Sequence, residues 1–312
     1  MIKRTVEISQ RAMHLSIRHG QLLLHHNGEL AGQIPCEDLG LLLIDHPGTT
    51  YTHSALTTAA QCGAVVVLCG ANHLPQSMLL PMSDHTQVVT RLNLQVKASK
   101  PTKKRIWKQI VIAKINAQAE NLKSTSPEYK RLRNLASEVK SGDSTNREAQ
   151  AAKIYWKSWL YNDSDREPHN TFRRLRNGHA PNNFLNYGYA ILRAALGRAI
   201  VAAGLHPALG VQHSNRSNAF CLADDLIEPL RPWVDQSVRE LYFAEHTDLD
   251  QYTKQVLLEL LTIPCKVNDQ QGPLMVALQK YVASFVRSLE DPRNQLEFPV
   301  SCSLMDIETC GS

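Results

Sequence analysis

Near residues 83–85 the hydrophobic pattern of the chain changes period, and a single layer of one secondary-structure type cannot accommodate both sides of that change. Upstream, residues 5–8 and 13–17 alternate apolar with polar side chains, and 39–44 and 64–68 are short, continuously apolar runs. Period-two alternation marks strands, and short apolar runs suit strands buried in a core. His19-Gly20 and Asn27-Gly28 stand where hairpin turns are needed, the second in the form that suits a type I′ turn. Residues 52–60 read as one short helix. Downstream, apolar residues recur at helical spacing, which predicts helices over about 86–97, 103–121, 127–140, 145–162, 182–203, 225–243, 249–263 and 272–290. The expectation is an α+β chain: an N-terminal β-sandwich-like domain (1–85), then a larger all-α catalytic domain (86–312) with a loosely held tail from 299.

The 312 residues, 43% of them hydrophobic, suffice for two cores. No run reaches about 18 consecutive apolar residues and the N-terminus lacks an apolar core of signal-peptide length, so a cytoplasmic protein with no membrane partner is expected. Seven cysteines without a Cys-x-x-Cys pair indicate neither a disulfide framework nor a zinc knuckle. Charge is distributed unevenly. The chain carries +5 overall, but residues 97–140 hold 12 Lys and Arg against three acids, a local +9 that leaves the remainder at −4. Such a stretch offers a surface to DNA or RNA, with a solvated helical face as the plainer alternative. Its candidate DNA contacts are Lys103, Lys104, Arg105 and Lys108, and Arg166, Arg173, Arg174, Arg176 and His179 make a second basic cluster.

Candidate chemistry lies in three segments. Glu148 follows Gly142-Asp-Ser-Thr-Asn-Arg, His213 ends Leu209-Gly-Val-Gln-His, and Glu228 sits in Asp225-Leu-Ile-Glu-Pro-Leu-Arg-Pro232. Two carboxylates and one imidazole suit Mg²⁺ or Mn²⁺ with positions left for water and phosphate oxygens, unlike a closed structural zinc site. Each residue alone has a plainer role. Glu148 would complement a helix dipole, and Asp225 with Glu228 would form a capping box, although Pro229 and Pro232 disfavour it. His213 would be a hydrogen-bonded core histidine.

In order and approximate spacing these segments resemble those of the CRISPR adaptation integrase family, and Asn182-Asn-Phe-Leu-Asn-Tyr-Gly-Tyr189 resembles a helix beside that family's active site. The Gly-Asp-Ser-Thr-Asn-Arg-Glu spelling is most like the type II branch. The resemblance implies that Glu148, His213 and Glu228 bind the metal, and that Asp225 supports the ligand shell. Arg231 would face the phosphate or orient a carboxylate, with Asn182, Asn186 and Tyr187 as active-site support and Tyr189 more a packing residue. It further implies insertion of short DNA fragments into a repeat array by 3′-OH transesterification. The implied partners are double-stranded DNA, a second copy of the chain joined through the N-terminal domain, a small ferredoxin-like CRISPR-associated protein, and the RNA-guided effector nuclease of the same system. Two other readings stay open: a metal-dependent nuclease for branched DNA in repair, and a catalytically silent DNA-binding scaffold.

Overall fold

The computed structural model describes residues 3–81, 85–160, 172–175 and 178–302. Its first part comprises β1 (Arg4–Ile8), β2 (His14–Arg18), β3 (Gln21–His26), β4 (Glu29–Pro35), β5 (Leu39–Ile44), β6 (Thr50–Tyr51), α1 (His53–Gln61), β7 (Val65–Cys69) and β8 (Pro75–Leu79). Two four-stranded sheets result. One has the order β1-β5-β7-β8, with β1, β5 and β7 parallel and β8 antiparallel; the other is β4-β3-β2-β6. Both hairpin turns form at the expected positions: His19 and Gly20 take φ of 50° and 71°, Asn27 and Gly28 φ of 51° and 86°. Edge strands β4, β6 and β8 escape the sequence pattern because largely exposed strands carry little apolar signal.

Strand β5 is buried at all six positions, as its unbroken apolar run requires. Leu42 and Ile44, with Val66 of β7, pack on Leu15, Leu22, Ala55 and Ala59. Leu41 and Leu43, with Val65 and Val67, face the other way into the core of the helical part. The first sheet therefore divides two cores.

The second part contains α2 (Val88–Lys97), α3 (Lys100–Glu120), α4 (Pro127–Ser137), α5 (Arg147–Ser158), α6 (Asn182–Ala202), α7 (Cys221–Leu226), α8 (Arg231–Phe243), α9 (Gln251–Glu259) and α10 (Leu274–Glu290). Caps set several starts: the side chains of Ser99, Ser126 and Asp250 accept from Thr102, Tyr129 and Thr253 backbone N–H groups at 3.2, 3.1 and 2.9 Å. The helix expected over 225–243 is interrupted, because Pro229 and Pro232 lack N–H donors; α7 ends at Leu226 and a tight turn at Glu228–Leu230 intervenes. This part is not purely helical. Pro264–Val267 (β9) pairs with Gln270–Pro273 (β10) and with Val300–Ser301 (β11), which attaches the start of the expected tail to a small sheet. Among the described residues no helix is long and apolar enough to cross a membrane. Helix α6 is buried nearly all round, as expected of a central helix.

Where β5 ends, Asp45 is ion-paired at 2.5 Å with Lys254 of α9, the two side chains being 1% and 6% exposed. His73 also reaches the Asp45 carboxylate at 3.0 Å. Removing one member of a buried pair strands the other charge in a poorly solvated site. Lys254→Met is accordingly expected to cost about 3–5 kcal/mol in urea unfolding, whereas Asp45→Leu combined with Lys254→Met costs less than Lys254→Met alone.

Candidate active site

Lys114, midway along α3, organises the site. Its Nζ lies 2.6 Å from Oε1 of Glu148 and 2.5 Å from Oε2 of Glu228. The Glu148 contact is a hydrogen bond, and that to Glu228 is a buried ion pair. Burial alone would lower the Lys114 pKa, but the two carboxylates raise it. Lys114 was missed at the level of sequence, although a lone charge inside Ile110-Val-Ile-Ala-Lys-Ile115 is the signal for it.

Glu148 occupies the first turn of α5. Asp143 rather than Glu148 caps that helix, its carboxylate accepting from the N–H groups of Arg147 (2.8 Å) and Glu148 (3.0 Å). The Glu148 side chain is thereby left to face Lys114. Glu228 opens the tight turn before α8, and Arg231 donates from Nε to its Oε1 at 2.8 Å. Burial favours the protonated form of Glu228, yet Arg231 and Lys114 outweigh it and hold this carboxyl at about 2. Arg231 thus orients a carboxylate, one of its two expected roles.

Asp225 is fully buried and does not form a capping box with Glu228. Its Oδ2 accepts from Val211 N (2.6 Å) and Gln212 N (3.0 Å), and its Oδ1 from His213 N (3.1 Å). Gly210 makes this wrapping possible, since a Cβ there would stand 2.5 Å from the His213 carbonyl oxygen and 2.7 Å from Asp225 Oδ2. The same Asp225 Oδ1 lies 2.7 Å from His213 Nδ1. With Nδ1–H donating to Asp225, the Nε2 of neutral His213 carries the lone pair, the arrangement typical of ligating histidines. His213 is 44% exposed at its side chain and meets the Trp107 ring edge-on at 6.1 Å.

Both carboxylates therefore converge on one cationic centre beside an oriented imidazole. Hard oxygens with one imidazole nitrogen fit Mg²⁺ or Mn²⁺ in donor chemistry. Among the described residues, however, no three His, Cys, Asp or Glu side chains are gathered as closely as a bound ion requires. The ammonium of Lys114 stands between the carboxylates and supplies the neutralising charge.

A polar pocket of roughly 620 Å³ opens beside His213, lined by Arg174, Asn186, Tyr189, Arg193 and Arg231 among others. Its α6 wall includes Asn186, Tyr189 and Arg193 at helical spacing, and Asn182 stands one turn before Asn186 on the same stripe. Asn182 Oδ1 accepts from Arg174 Nη1 (3.0 Å) and Leu175 N (2.7 Å), and Asn186 Oδ1 from Arg174 Nη2 (2.6 Å). Tyr187 is not on this stripe; one residue past Asn186 it is rotated by about 100°, and it is buried where Glu7, Cys69 and Asp45 act on it electrostatically. Tyr189, read from sequence as packing, does belong to the helical core and also lines the pocket. Asp235, also missed, accepts from the hydroxyls of Tyr189 and Tyr155; burial, outweighing these donors, raises its carboxyl to about 7.

The basic candidates divide. Arg105 is committed internally, donating to Ser288, Pro292 and Asn294 carbonyls at 2.6, 2.7 and 3.0 Å, so it secures the end of α10 in place of a free DNA contact. Lys104 and Arg173 are exposed, while Lys103 and Lys108 are half-buried. His179 is exposed as well. Arg166 and Arg176 lie outside the described residues.

A family model described as "CRISPR associated protein Cas1" matches residues 6–262. The CRISPR-associated endonuclease Cas1 of Neisseria meningitidis serogroup C is 37% identical over 299 residues, covering 94% of this chain and 95% of the relative. Among solved structures, a casposase bound to integration product superposes with a TM-score of 0.73 at 17% identity, over 99% of this chain and 98% of that one. A Cas6-RT-Cas1–Cas2 complex gives 0.70 at 15% identity, over 92% of this chain and 35% of the other.

The hydrogen bond to Asp225 raises the His213 pKa, with burial opposing it. A raised histidine pKa contributes stability that is fully present below the unfolded value and is lost as pH rises through the folded value. NMR titration of the His213 ring is expected to show its pKa falling in Asp225→Asn, with a smaller loss of stability across that pH window than in the native chain.

Proposed function

The chain belongs to the Cas1 family of CRISPR-associated proteins, and on that premise we propose that it is a metal-dependent DNA integrase and endonuclease that inserts short DNA fragments into a CRISPR array. The observation that carries this reading is the convergence of Glu148 and Glu228 on one cationic centre, beside an imidazole oriented by Asp225. Glu148, Glu228 and the Nε2 of His213 would hold Mg²⁺ or Mn²⁺. The bound ion would polarise the phosphodiester and lower the pKa of the attacking hydroxyl.

The remaining work falls to the chain's own groups. Asp225 keeps the His213 ring in one tautomer and orientation, and Arg231 holds Glu228 ionised and aimed. Arg174 and Arg231, on the pocket wall, offset the charge of a phosphate brought there. With a fragment's 3′-OH as nucleophile, one phosphorus–oxygen bond forms as another breaks and strand transfer results; with water the outcome is cleavage. Because one phosphodiester replaces another, no nucleotide triphosphate is needed.

A repeat filled from both ends needs two reactions on opposite strands, and one chain carries one such site among its described residues. The proposed assembly is accordingly a homodimer joined through the N-terminal domain, with two such dimers flanking a dimer of a small ferredoxin-like partner. The likeness in fold to a solved complex containing Cas1 and Cas2 supports this. Association with the RNA-guided effector and a cytoplasmic location complete the proposal.

Glu148→Gln keeps size and removes a ligand charge. It is expected to abolish Mg²⁺- or Mn²⁺-dependent joining and cleavage of labelled DNA while circular dichroism and DNA affinity stay nearly unchanged; full strand transfer by this variant would refute the metal assignment. It also separates an enzyme from a silent scaffold, whose DNA binding needs no metal.

Neutralised phosphates release counterions, so binding should weaken steeply with salt. Lys103→Glu, Lys104→Glu and Lys108→Glu together are expected to flatten the plot of log affinity against log salt and to weaken all DNA sequences alike. Arg105→Glu is expected instead to lower stability, since it breaks the carbonyl clamp on α10.

A further inference from the structure

Tyr189 presents one ring to two guanidiniums. The Arg231 Cζ lies 4.5 Å from its centroid and the Arg174 Cζ 5.4 Å. The hydroxyl at the far edge of that ring is fixed in turn: it donates to Oδ1 of Asp235, whose Oδ2 accepts from Tyr155 at 2.9 Å. Asn121 donates to the Tyr155 hydroxyl at 2.9 Å and to the Pro232 carbonyl at 2.6 Å. Asp235 is 1% exposed and Tyr189 8%, so the ring is held by a buried hydrogen-bonded chain and has one orientation.

The two guanidiniums are not equally balanced by charge. Arg231 is paired with Glu228. Arg174 has no carboxylate partner among the described residues; its guanidinium donates to the amide oxygens of Asn182 and Asn186 and to the Leu175 carbonyl. Arg193, the other arginine of the pocket, is already neutralised by Asp224 at 2.9 Å. A half-buried guanidinium that touches no carboxylate among the described residues, beside a second one and open to a polar pocket, suits an anion. Guanidinium forks match the oxygens of a phosphate group. Sharing one aromatic ring keeps two like charges close at low conformational freedom.

We propose that Tyr189, pinned through its hydroxyl to Asp235, is a positioning residue that sets Arg174 and Arg231 as a paired-guanidinium seat for a single phosphate group beside Glu228. The inference rests on the phosphodiester reading above and adds to it the residue that shapes the seat. Tyr189 touches no reacting atom in this role; it acts through the two arginines.

The test is calorimetric binding of thymidine 3′,5′-bisphosphate to the full chain in EDTA, where neither metal nor strand transfer enters. The native protein is expected to bind it, with Tyr189→Leu and Arg174→Gln each weakening binding by about tenfold or more, the scale of a charge-assisted contact. Tyr189→Phe, which keeps the ring, is expected to retain more affinity than Tyr189→Leu. In a chain already carrying Arg174→Gln and Arg231→Gln, adding Tyr189→Leu is expected to change little, because its effect runs through those side chains. No binding by the native chain, undiminished affinity in Arg174→Gln, or a Tyr189→Leu loss that persists in full without the arginines would each overturn the inference. Should Tyr189→Leu fail to fold by circular dichroism, Arg174→Gln decides, since it removes nothing from the core. A native protein that joins DNA while Arg174→Gln binds the bisphosphate normally defeats the phosphate seat alone. One that binds the bisphosphate but neither joins nor cleaves DNA defeats only the catalytic reading.

Discussion

Two ionised carboxylates cannot be held side by side in a largely buried site unless a positive charge lies between them. At 4 Å and an effective dielectric of about 20, two unit charges repel by roughly 4 kcal/mol, a large fraction of what keeps a domain folded. Lys114 answers this requirement, and much of the helical architecture is arranged to deliver it. Helix α3 must run through the centre so that its ammonium meets Glu148 from α5 on one side and Glu228 from the turn before α8 on the other. Once Glu228 is fixed, the preceding turn places Asp225 one helical step away, and Asp225 in turn gathers the 210–213 loop and His213. The site is thus one electrostatic assembly built outward from an internal cation.

Much of this was legible from residue order. The period change foretold strands followed by helices, and the two φ-positive turns fell where His19-Gly20 and Asn27-Gly28 required them. Glu148, Asp225, Glu228 and Arg231 stood out because they sit in short segments dense with unusual residues, and the structure brings them together. What escaped has physical reasons. Lys114 is separated in sequence from everything it touches, so its partners exist only in three dimensions. Asp143 takes the first N–H groups of α5 through backbone geometry, with Asp143 and Asn146 both at positive φ, which residue type alone does not specify. The β9–β10 hairpin is four residues per strand, too short for any period to register.

Helix α6 shows where a motif read as a unit misleads. Asn182, Asn186, Tyr187 and Tyr189 are neighbours in sequence, yet helical rotation sends Tyr187 toward the strands and Tyr189 toward the pocket. Counting in steps of three and four from Asn182 separates them, and it also picks out Arg193. The basic stretch gives a parallel case. Arg105 contributes to the local charge but commits its Nη1 and Nη2 to the carbonyls of Ser288, Pro292 and Asn294, and Lys114 is consumed inside the site, so formal charge overstates what a polyanion could meet.

Strand β5 has a consequence for how this chain can vary. Its odd-numbered side chains Leu41 and Leu43 answer to the helices, whereas its even-numbered Leu42 and Ile44 answer to the hairpin sheet and α1. A volume change at one parity must be compensated on one side of the sheet only. Two independent sets of substitutions can therefore accumulate along residues 41–44, and relatives that have diverged in their hairpin sheets need not have diverged in the helical core that this strand also lines.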